Sequence, residues 1–454
     1  MAGVKLHFYG GVGTVTGANF LLETGKLKIV VDCGLVQGTK LDNEENRKPF
    51  IYDTSDVDIL FVTHAHMDHI GRVPKLVHDG FRGVIYSTPE TKALAEVMLA
   101  DALVILDKQA KEDGVLPFYN EDDVKLTLDL WKMIPYHTVT PIGDSVQVYF
   151  KDPGHILGAV MIEFRRNGKK LVFTGDLGNT PTPLLRDTEP LEDTTYLVME
   201  SVYGDRNHED IEERRVKLAE AINTSVEKGG VLLIPAFSLE KTQVLLHELN
   251  DLLLEKKIGK TPIYLDSPLG IKVTAIYKRM TENFNAEAKK QIAEGDDIFN
   301  FPELHIVQDG EASLELDHLP NPKIIIAGSG MSNGGRIIRH EKKYLTKENN
   351  SILFIGYQSV GTLGRRIVEG AKYVQIGNEE IEVKANILTV SGYSSHKDSD
   401  HLVEFVDTSA DTLKKVFVVM GEPKSSLFLV QKIKDNTGVE AYHPEQDEVA
   451  VLDM

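Results

Sequence analysis

Apolar and polar residues alternate with a period of two through most of the first 60 positions. The alternation runs through Val4, Leu6 and Phe8, then Phe20-Leu21-Leu22-Glu23, a Thr24-Gly25 turn, and Leu27-Lys28-Ile29-Val30-Val31. This spacing predicts a β-meander. An uninterrupted apolar run at 57–62 predicts a buried strand. Thr88-Pro89-Glu90 then combines a capping residue, a proline at the first helical position and a first-turn acid. Leu94, Val97, Met98 and Ala102 follow at helical spacing, so a long amphipathic helix opens there. Strand patterns return at 145–151, 160–165 and 169–174.

From about residue 207 the texture changes to helices alternating with short apolar runs. A charged helical stretch at 212–228 precedes Gly229-Gly230-Val231-Leu232-Leu233-Ile234-Pro235, and a second helix covers 240–257. Further runs at 263–265, 323–327 and 351–355 complete the signature of a mostly parallel sheet covered by helices. After 387–390, strands at 416–419 and 449–452 are expected to rejoin the first module. The division is 1–206, an inserted α/β domain at 207–386, and a return segment at 387–454. There is neither an internal repeat nor a low-complexity linker, which favours an insertion over two modules in series.

At 454 residues, 42% of them hydrophobic, the chain can bury more than one core. Its 50 Lys and Arg against 69 Asp and Glu give a net charge of −19, so the overall field opposes a polyanion and any such ligand must be drawn in by local cations or metal. The only cysteine, Cys33, has no partner for an internal disulfide and reads as core packing. The N-terminal residues lack the apolar core of a signal peptide, and no apolar stretch reaches spanning length. A cytoplasmic protein without membrane association is the expectation.

The chemistry is concentrated in Thr63-His64-Ala65-His66-Met67-Asp68-His69, immediately after the strand predicted at 57–62. Loops at strand ends are where a rigid scaffold presents reactive groups. Three imidazoles and a carboxylate in six positions, without thiolate, suit zinc, with iron or manganese as alternatives. His64 and His66 can serve one cation while Asp68 and His69 serve a neighbour. A merely solvated loop does not account for four strong donors so close together. Two further turns each carry one potential donor: His155 in Asp152-Pro153-Gly154-His155, and Asp176 in Phe173-Thr174-Gly175-Asp176. Each is weak evidence alone; in order behind the first cluster they are strong.

These motifs, in this order, resemble the metallo-β-lactamase superfamily, and further the β-CASP branch, over nearly the whole chain. Asp32 is similar to the first superfamily motif, His64, His66, Asp68 and His69 to the second, His155 to the third and Asp176 to the fourth. Glu200, in Met199-Glu200-Ser201-Val202-Tyr203-Gly204, is similar to β-CASP motif A, and His396, in Ser394-Ser395-His396-Lys397-Asp398, to motif B. The resemblance implies a metallo-β-lactamase αββα sandwich with an inserted α/β β-CASP domain. It implies RNA as substrate and partner, as in the endonuclease of messenger 3′-end processing and in short prokaryotic ribonucleases. Two zinc ions are implied, one held by His64, His66 and His155, the other by Asp68 and His69, with Asp176 bridging. Such a pair activates water for in-line attack on phosphorus. His396 would be the general acid and Glu200 its orienting partner, while Asp32 would orient the metal loop rather than bind metal. A homodimer is compatible with the resemblance.

In the predicted insertion, Gly328-Ser329-Gly330-Met331-Ser332-Asn333-Gly334-Gly335-Arg336 follows a strand and opens a helix. Its amides can cradle a phosphate, which nominates Ser329, Gly330, Met331, Gly334, Gly335 and Arg336 as RNA contacts, with Arg339 and Lys343 adding charge and Ser238 and Lys241 as further candidates. The glycines at 11, 13 and 17 lie between two strands and lack a βαβ context, so they are not a nucleotide loop. One position departs from the family pattern. Motif C, a histidine after a late strand, is Met420 in Val418-Val419-Met420-Gly421-Glu422. A thioether is a poor zinc ligand, so the second metal position is incomplete unless His401 or His443 substitutes, and a catalytically impaired RNA-binding or assembly protein is the alternative reading.

Overall fold

The computed structural model describes residues 3–38, 40–209, 211–359, 361–390 and 392–454; Met1 and Ala2, part of the N-terminal stretch read above, lie outside the described residues. The chain forms two compact units. One comprises Met1–Asn207 with His396–Met454, the other His208–Ser395.

In the first unit the predicted meander is present as antiparallel strands Val4–Gly10, Asn19–Glu23 and Lys28–Val31, with Val4, Leu6 and Phe8 facing inward. Strand Val449–Leu452 pairs antiparallel with Val4–Gly10 at one edge. On the other side the parallel strands Ile59–Phe61, Val84–Ser87 and Trp131–Met133 follow. Helices Val73–His78 and Pro89–Asp113 fall in the crossovers, the latter capped by the Thr88 side chain with Pro89 in its first turn. A second seven-stranded sheet contains Thr140–Gly143, Val146–Lys151, Met161–Arg166, Lys169–Phe173, Tyr196–Met199, Lys415–Val418 and Ala441–Tyr442.

The two sheets meet face to face through aromatic residues. Phe61 stands edge-on to Phe164 at 5.4 Å and to Phe150 at 6.2 Å, and Phe20 packs on Phe173 at 5.9 Å. Such contacts add to the stabilisation from area burial. The outer face of the second sheet is covered by helices Ser399–Asp407 and Pro423–Thr437, whose Leu402, Phe405, Leu429 and Ile433 pack on Val172, Leu197 and Val416. This is the αββα sandwich.

The second unit holds a parallel sheet in the spatial order Leu304–Ile306, Ile263–Asp266, Lys323–Ala327, Val231–Pro235, Ser351–Phe354 and Asn386–Thr389. Its central strands are buried on every residue, which is why they read as continuous apolar runs. One boundary needs correction. The sequence reading places 387–390 in the return segment, but strand Asn386–Thr389 pairs in parallel with Ser351–Phe354, and the unit ends at Ser395. A short apolar run carries no information about its pairing partner, so the chain returns about one strand later than its pattern suggests.

Candidate metal and catalytic centre

The donor residues sit just beyond the carboxyl ends of strands that share one direction. Lys28–Val31 and Ile59–Phe61 are parallel, as are Lys169–Phe173, Tyr196–Met199 and Lys415–Val418, and Val146–Lys151 runs the same way two antiparallel steps from Lys169–Phe173. The loops carrying Asp32, His64–His69, His155, Asp176, Glu200 and Met420 therefore open on the same edge of the sandwich. Gly34 permits the closest approach among them. A Cβ there would stand 1.5 Å from the Asp68 carbonyl oxygen, and the flanking Cys33 N–H donates to the His69 carbonyl at 2.8 Å.

Four donor atoms converge. His66 Nδ1 lies 3.1 Å from His64 Nε2 and 3.2 Å from His155 Nε2; Asp176 Oδ2 lies 3.3 Å from the former and 3.4 Å from the latter. A tetrahedral zinc with bonds of 2.0–2.1 Å spaces its ligands about 3.3 Å apart, so these residues fit a zinc-sized cation. The other oxygen of the same carboxylate, Oδ1, faces His69 Nε2 at 3.4 Å. Both atoms are buried without a hydrogen-bond partner. Buried polar atoms left unmatched mark a place for a missing partner. Asp68 Oδ2 stands 4.0 Å from His69 Nε2, so the second group is looser than the first.

Asp32 explains how the imidazoles are aimed. Its Oδ1 accepts the Thr63 backbone N–H at 2.8 Å. Its Oδ2 accepts the Thr63 hydroxyl at 2.7 Å and His69 Nδ1 at 2.8 Å. Thr63 Oγ1 is in turn 3.0 Å from His64 Nδ1. When both Nδ1 atoms donate into this network, Nε2 of His64 and of His69 is the nitrogen that can face a bound cation. The structure thus gives Asp32 an orienting position, and it identifies Thr63 as a relay that sequence reading missed. Its only signal was a hydroxyl residue directly before the first histidine.

Electrostatics reflect a site made for a cation. Burial, and then the neighbouring His64 and His155, hold His66 well below the usual histidine range, in the neutral form that binds metal. Burial opposes charge on His69, yet Asp176 and Asp32 hold it well above that range. Burial likewise acts to raise Asp176, but His69, His64 and His396 bring it well below the usual carboxylate range.

His396 Nδ1 lies 3.0 Å from Glu200 Oε1 and 3.2 Å from Oε2, and its ring is 4.8 Å from that of His155. Glu200 is fully buried. It also accepts the Leu177 N–H at 2.7 Å, tying the Asp176 turn to the histidine. Burial raises the Glu200 carboxyl despite the opposing pull of His396.

The chain was compared with known proteins. The chain matches the Metallo-beta-lactamase superfamily over residues 12–220, the Beta-Casp domain over 242–367 and the Zn-dependent metallo-hydrolase RNA specificity domain over 380–444. It is 34% identical over 423 residues to Ribonuclease TTHA0252 of Thermus thermophilus, covering 93% of this chain and 94% of that protein. The chain belongs to the β-CASP family of the metallo-β-lactamase superfamily. Transcription termination factor FttA of Methanosarcina mazei is 30% identical to this β-CASP chain, over 96% of it and 70% of the relative. A crystal structure of a protein of unknown function from Enterococcus faecalis V583 shares the fold, with a TM-score of 0.58 at 14% identity, covering 99% of this chain and all of that one.

Met420 in this β-CASP chain is buried among Phe20, Val419 and other core residues, and its N–H donates to the Gly11 carbonyl at 2.6 Å. Its sulfur lies over Gly11, where a Cβ would be only 2.4 Å away. Among the described residues, neither histidine considered as a substitute belongs to a group of donors close enough to hold a metal. His401 Nδ1 bonds Asp398 at 2.7 Å, and His443 Nδ1 bonds the Val418 carbonyl at 2.9 Å. Burial pushes the Cys33 thiol up to about 12, in keeping with its packing role.

In the inserted unit, the loop at 328–336 does precede a helix, Ile337–Tyr344. Its cations are turned inward. Arg336 pairs with buried Asp266 at 2.5 Å and reaches the Val307 carbonyl, while Arg339 and Lys343 both pair with Asp317. The positive charge expected there for RNA is therefore already matched within the unit. The amides of Ser329, Ser332 and Asn333 donate within the loop, and Gly330 is packed where a Cβ would strike the Phe237 ring. The exposed residues are Asn333 and Gly335, with Gly334 half-buried between them. Ser238 bonds Ser267, and Lys241 donates to the Tyr393 carbonyl, with burial pushing its ammonium down to about 8. Among the described residues, no helix is long and apolar enough to cross a membrane.

Proposed function

We propose that this protein is a zinc-dependent ribonuclease that hydrolyses phosphodiester bonds of single-stranded RNA. Membership of the β-CASP family makes it a metal-dependent hydrolytic RNA nuclease. The metal identity and residue roles are our assignment. The observation that carries the assignment is the convergence of His64, His66, His155 and Asp176 at tetrahedral spacing beside the His396–Glu200 pair. When bound, the metal supplies Lewis acidity at a phosphate oxygen and acidifies a water for attack on phosphorus. Asp32 and Thr63 keep the histidine lone pairs aimed. Glu200 accepts from His396 Nδ1 and stabilises the imidazolium form, whose Nε2–H is the proton passed to the departing ribose oxygen as His396 becomes neutral. Asp68, beside His69 and 20% exposed, is assigned to the second cation and to orienting the attacking water. Contacts to the RNA chain are assigned to the 329–336 loop, chiefly the Gly334-Gly335 turn, with Ser329, Gly330, Met331 and Arg336 shaping it.

The test uses a labelled single-stranded RNA panel. The wild-type protein is expected to cleave with added zinc or manganese. His396→Ala should keep its zinc and lose about 10²- to 10⁴-fold in kcat, the range typical of a general acid. His64→Ala should lose both zinc and cleavage. RNA binding without turnover under every metal condition would overturn the proposal in favour of an RNA-binding protein of the same fold, the reading that Met420 favours.

A further inference from the structure

Strand Asn386–Thr389 is the last of the inserted unit, and the backbone stays gripped after the strand ends. The Val390 N–H donates to the Phe354 carbonyl at 3.0 Å. Arg214, on helix Ile211–Glu227, donates from Nη1 to the Gly392 carbonyl at 2.9 Å, and its guanidinium lies 4.4 Å over the Tyr393 ring. Arg214 Nη2 pairs with one oxygen of Glu248, on helix Lys241–Leu254, and the other oxygen accepts the Tyr393 hydroxyl. Lys241, the first residue of that helix, donates from Nζ to the Tyr393 carbonyl at 2.8 Å. Arg214, Glu248 and Tyr393 are all buried. Burial, and then the Glu248 charge, hold the Tyr393 phenol well above its ordinary range, so it stays a donor.

Tyr393 stands three residues before His396, where the chain passes from one unit to the other. Three residues reach at most about 11 Å even when fully extended, so freedom at Tyr393 passes directly to His396. Beyond the histidine the chain is held again: the Lys397 N–H donates to the Leu177 carbonyl at 2.8 Å and the Ser399 hydroxyl to the Gly204 carbonyl at 2.7 Å. The imidazole therefore rides on a short segment fixed at both ends. A buried ion pair gains little net stability over apolar residues of similar volume. Here both of its members are spent on two consecutive residues of a chain crossing, as holding a geometry requires. We propose that Arg214, Lys241 and Glu248 form a clamp on Gly392 and Tyr393 through which the inserted unit positions His396 for proton transfer. These are positioning residues, which act on the histidine through the chain. The inference rests on the reading of His396 as proton donor; the clamp itself stands on the contacts above.

The experiment compares the full-length, metal-loaded protein with Lys241→Met and Tyr393→Phe, each of which removes one contact and leaves the buried Arg214–Glu248 pair in place. Circular dichroism and bound zinc show that each variant is folded. Two single-stranded RNA substrates are cleaved, one natural and one with sulfur in place of the departing bridging oxygen, since a thiolate leaves without taking up a proton. His396→Ala sets the reference, with a far larger loss on the oxygen substrate than on the sulfur one. Both clamp variants are expected to follow that pattern. Their kcat on the oxygen substrate should fall by about 10- to 100-fold, the scale of a misplacement of about 1 Å, with KM unchanged. Hydrogen–deuterium exchange of the same samples should quicken at 394–397 and stay as in the wild type along the strands of both units. Equal loss on the two substrates, an unchanged kcat, a change in KM alone, or unchanged exchange at 394–397 would each overturn the proposal. A wild type that cleaves under no metal condition, or an equal loss from His396→Ala on both substrates, sinks the reading of the reaction instead, and the exchange result then decides the clamp.

Discussion

Asp32→Asn isolates the role of a residue that touches no metal donor atom directly aimed at the cation. Asparagine keeps the size of the side chain and tolerates the left-handed backbone at this position, where φ is +58°. What changes is hydrogen-bond polarity. The carboxylate accepts three bonds, two from Thr63 and one from His69 Nδ1, at 2.7–2.8 Å. An amide offers one oxygen and two N–H donors. If the oxygen stays with Thr63, the NH₂ faces His69 Nδ1, which must then accept. The His69 proton moves to Nε2, and the lone pair needed by the cation is lost. Outer-shell partners of metal-bound histidines are worth about 10- to 100-fold in metal affinity, or about 1.4–2.8 kcal/mol. The expected result is a metal affinity at the His69 position lower by that factor. Zinc at the first position should be weakened less, since Thr63 still contacts His64. The assays are calorimetric titration and thermal denaturation of the metal-free protein, the latter to show that the fold survives. Wild-type affinity at the second position in a folded Asp32→Asn protein would refute the orienting role.

Three other substitutions probe other parts of the account. Gly34→Ala places a methyl group 1.5 Å from the Asp68 carbonyl and should cost more than about 3 kcal/mol, with loss of bound zinc, measured by denaturant unfolding and metal analysis. Arg336→Ala exposes buried Asp266, which keeps His340 and Ser313, so about 1–3 kcal/mol of stability should go; the salt dependence of RNA binding should stay unchanged, whereas a phosphate contact would reduce its log–log slope by about 1. Glu341 is fully buried and raised by burial to about 8 from an ordinary value of 4.5. Between those values the folded chain holds a proton that the unfolded chain releases, so stability is greatest below about pH 4.5 and falls as pH rises to about 8, by up to about 5 kcal/mol. Glu341→Gln should flatten that dependence and raise the melting temperature at pH 8.5 relative to pH 5.5; an unchanged pH profile would contradict it.

The metal group was legible in the sequence because its donors are local. Four of them lie within six residues, at the end of a strand whose apolar run announces itself, and their order along the chain fixed the fold class. The elements that failed to read clearly are those whose meaning depends on distant partners. Strand Asn386–Thr389 has the composition of any short buried strand, and only its pairing with Ser351–Phe354 shows which unit owns it. Arg336 looked available for phosphate because its partner, Asp266, is 70 residues away in sequence. Thr63 acts through its hydrogen bonds to Asp32, and the bond from the Leu177 amide to Glu200 is likewise one that no local spacing encodes. At Met420 the sequence posed the question, and the structure answers it with a buried side chain whose sulfur packs over Gly11.

The most direct test of the central claim is RNA cleavage by the full-length protein, stripped of metal by chelation and then given back divalent cations while bound zinc is measured. Cleavage should vanish with the metal and return as zinc fills the first position and a second cation is supplied. Undiminished cleavage by metal-free protein, or none after full reconstitution, would contradict it.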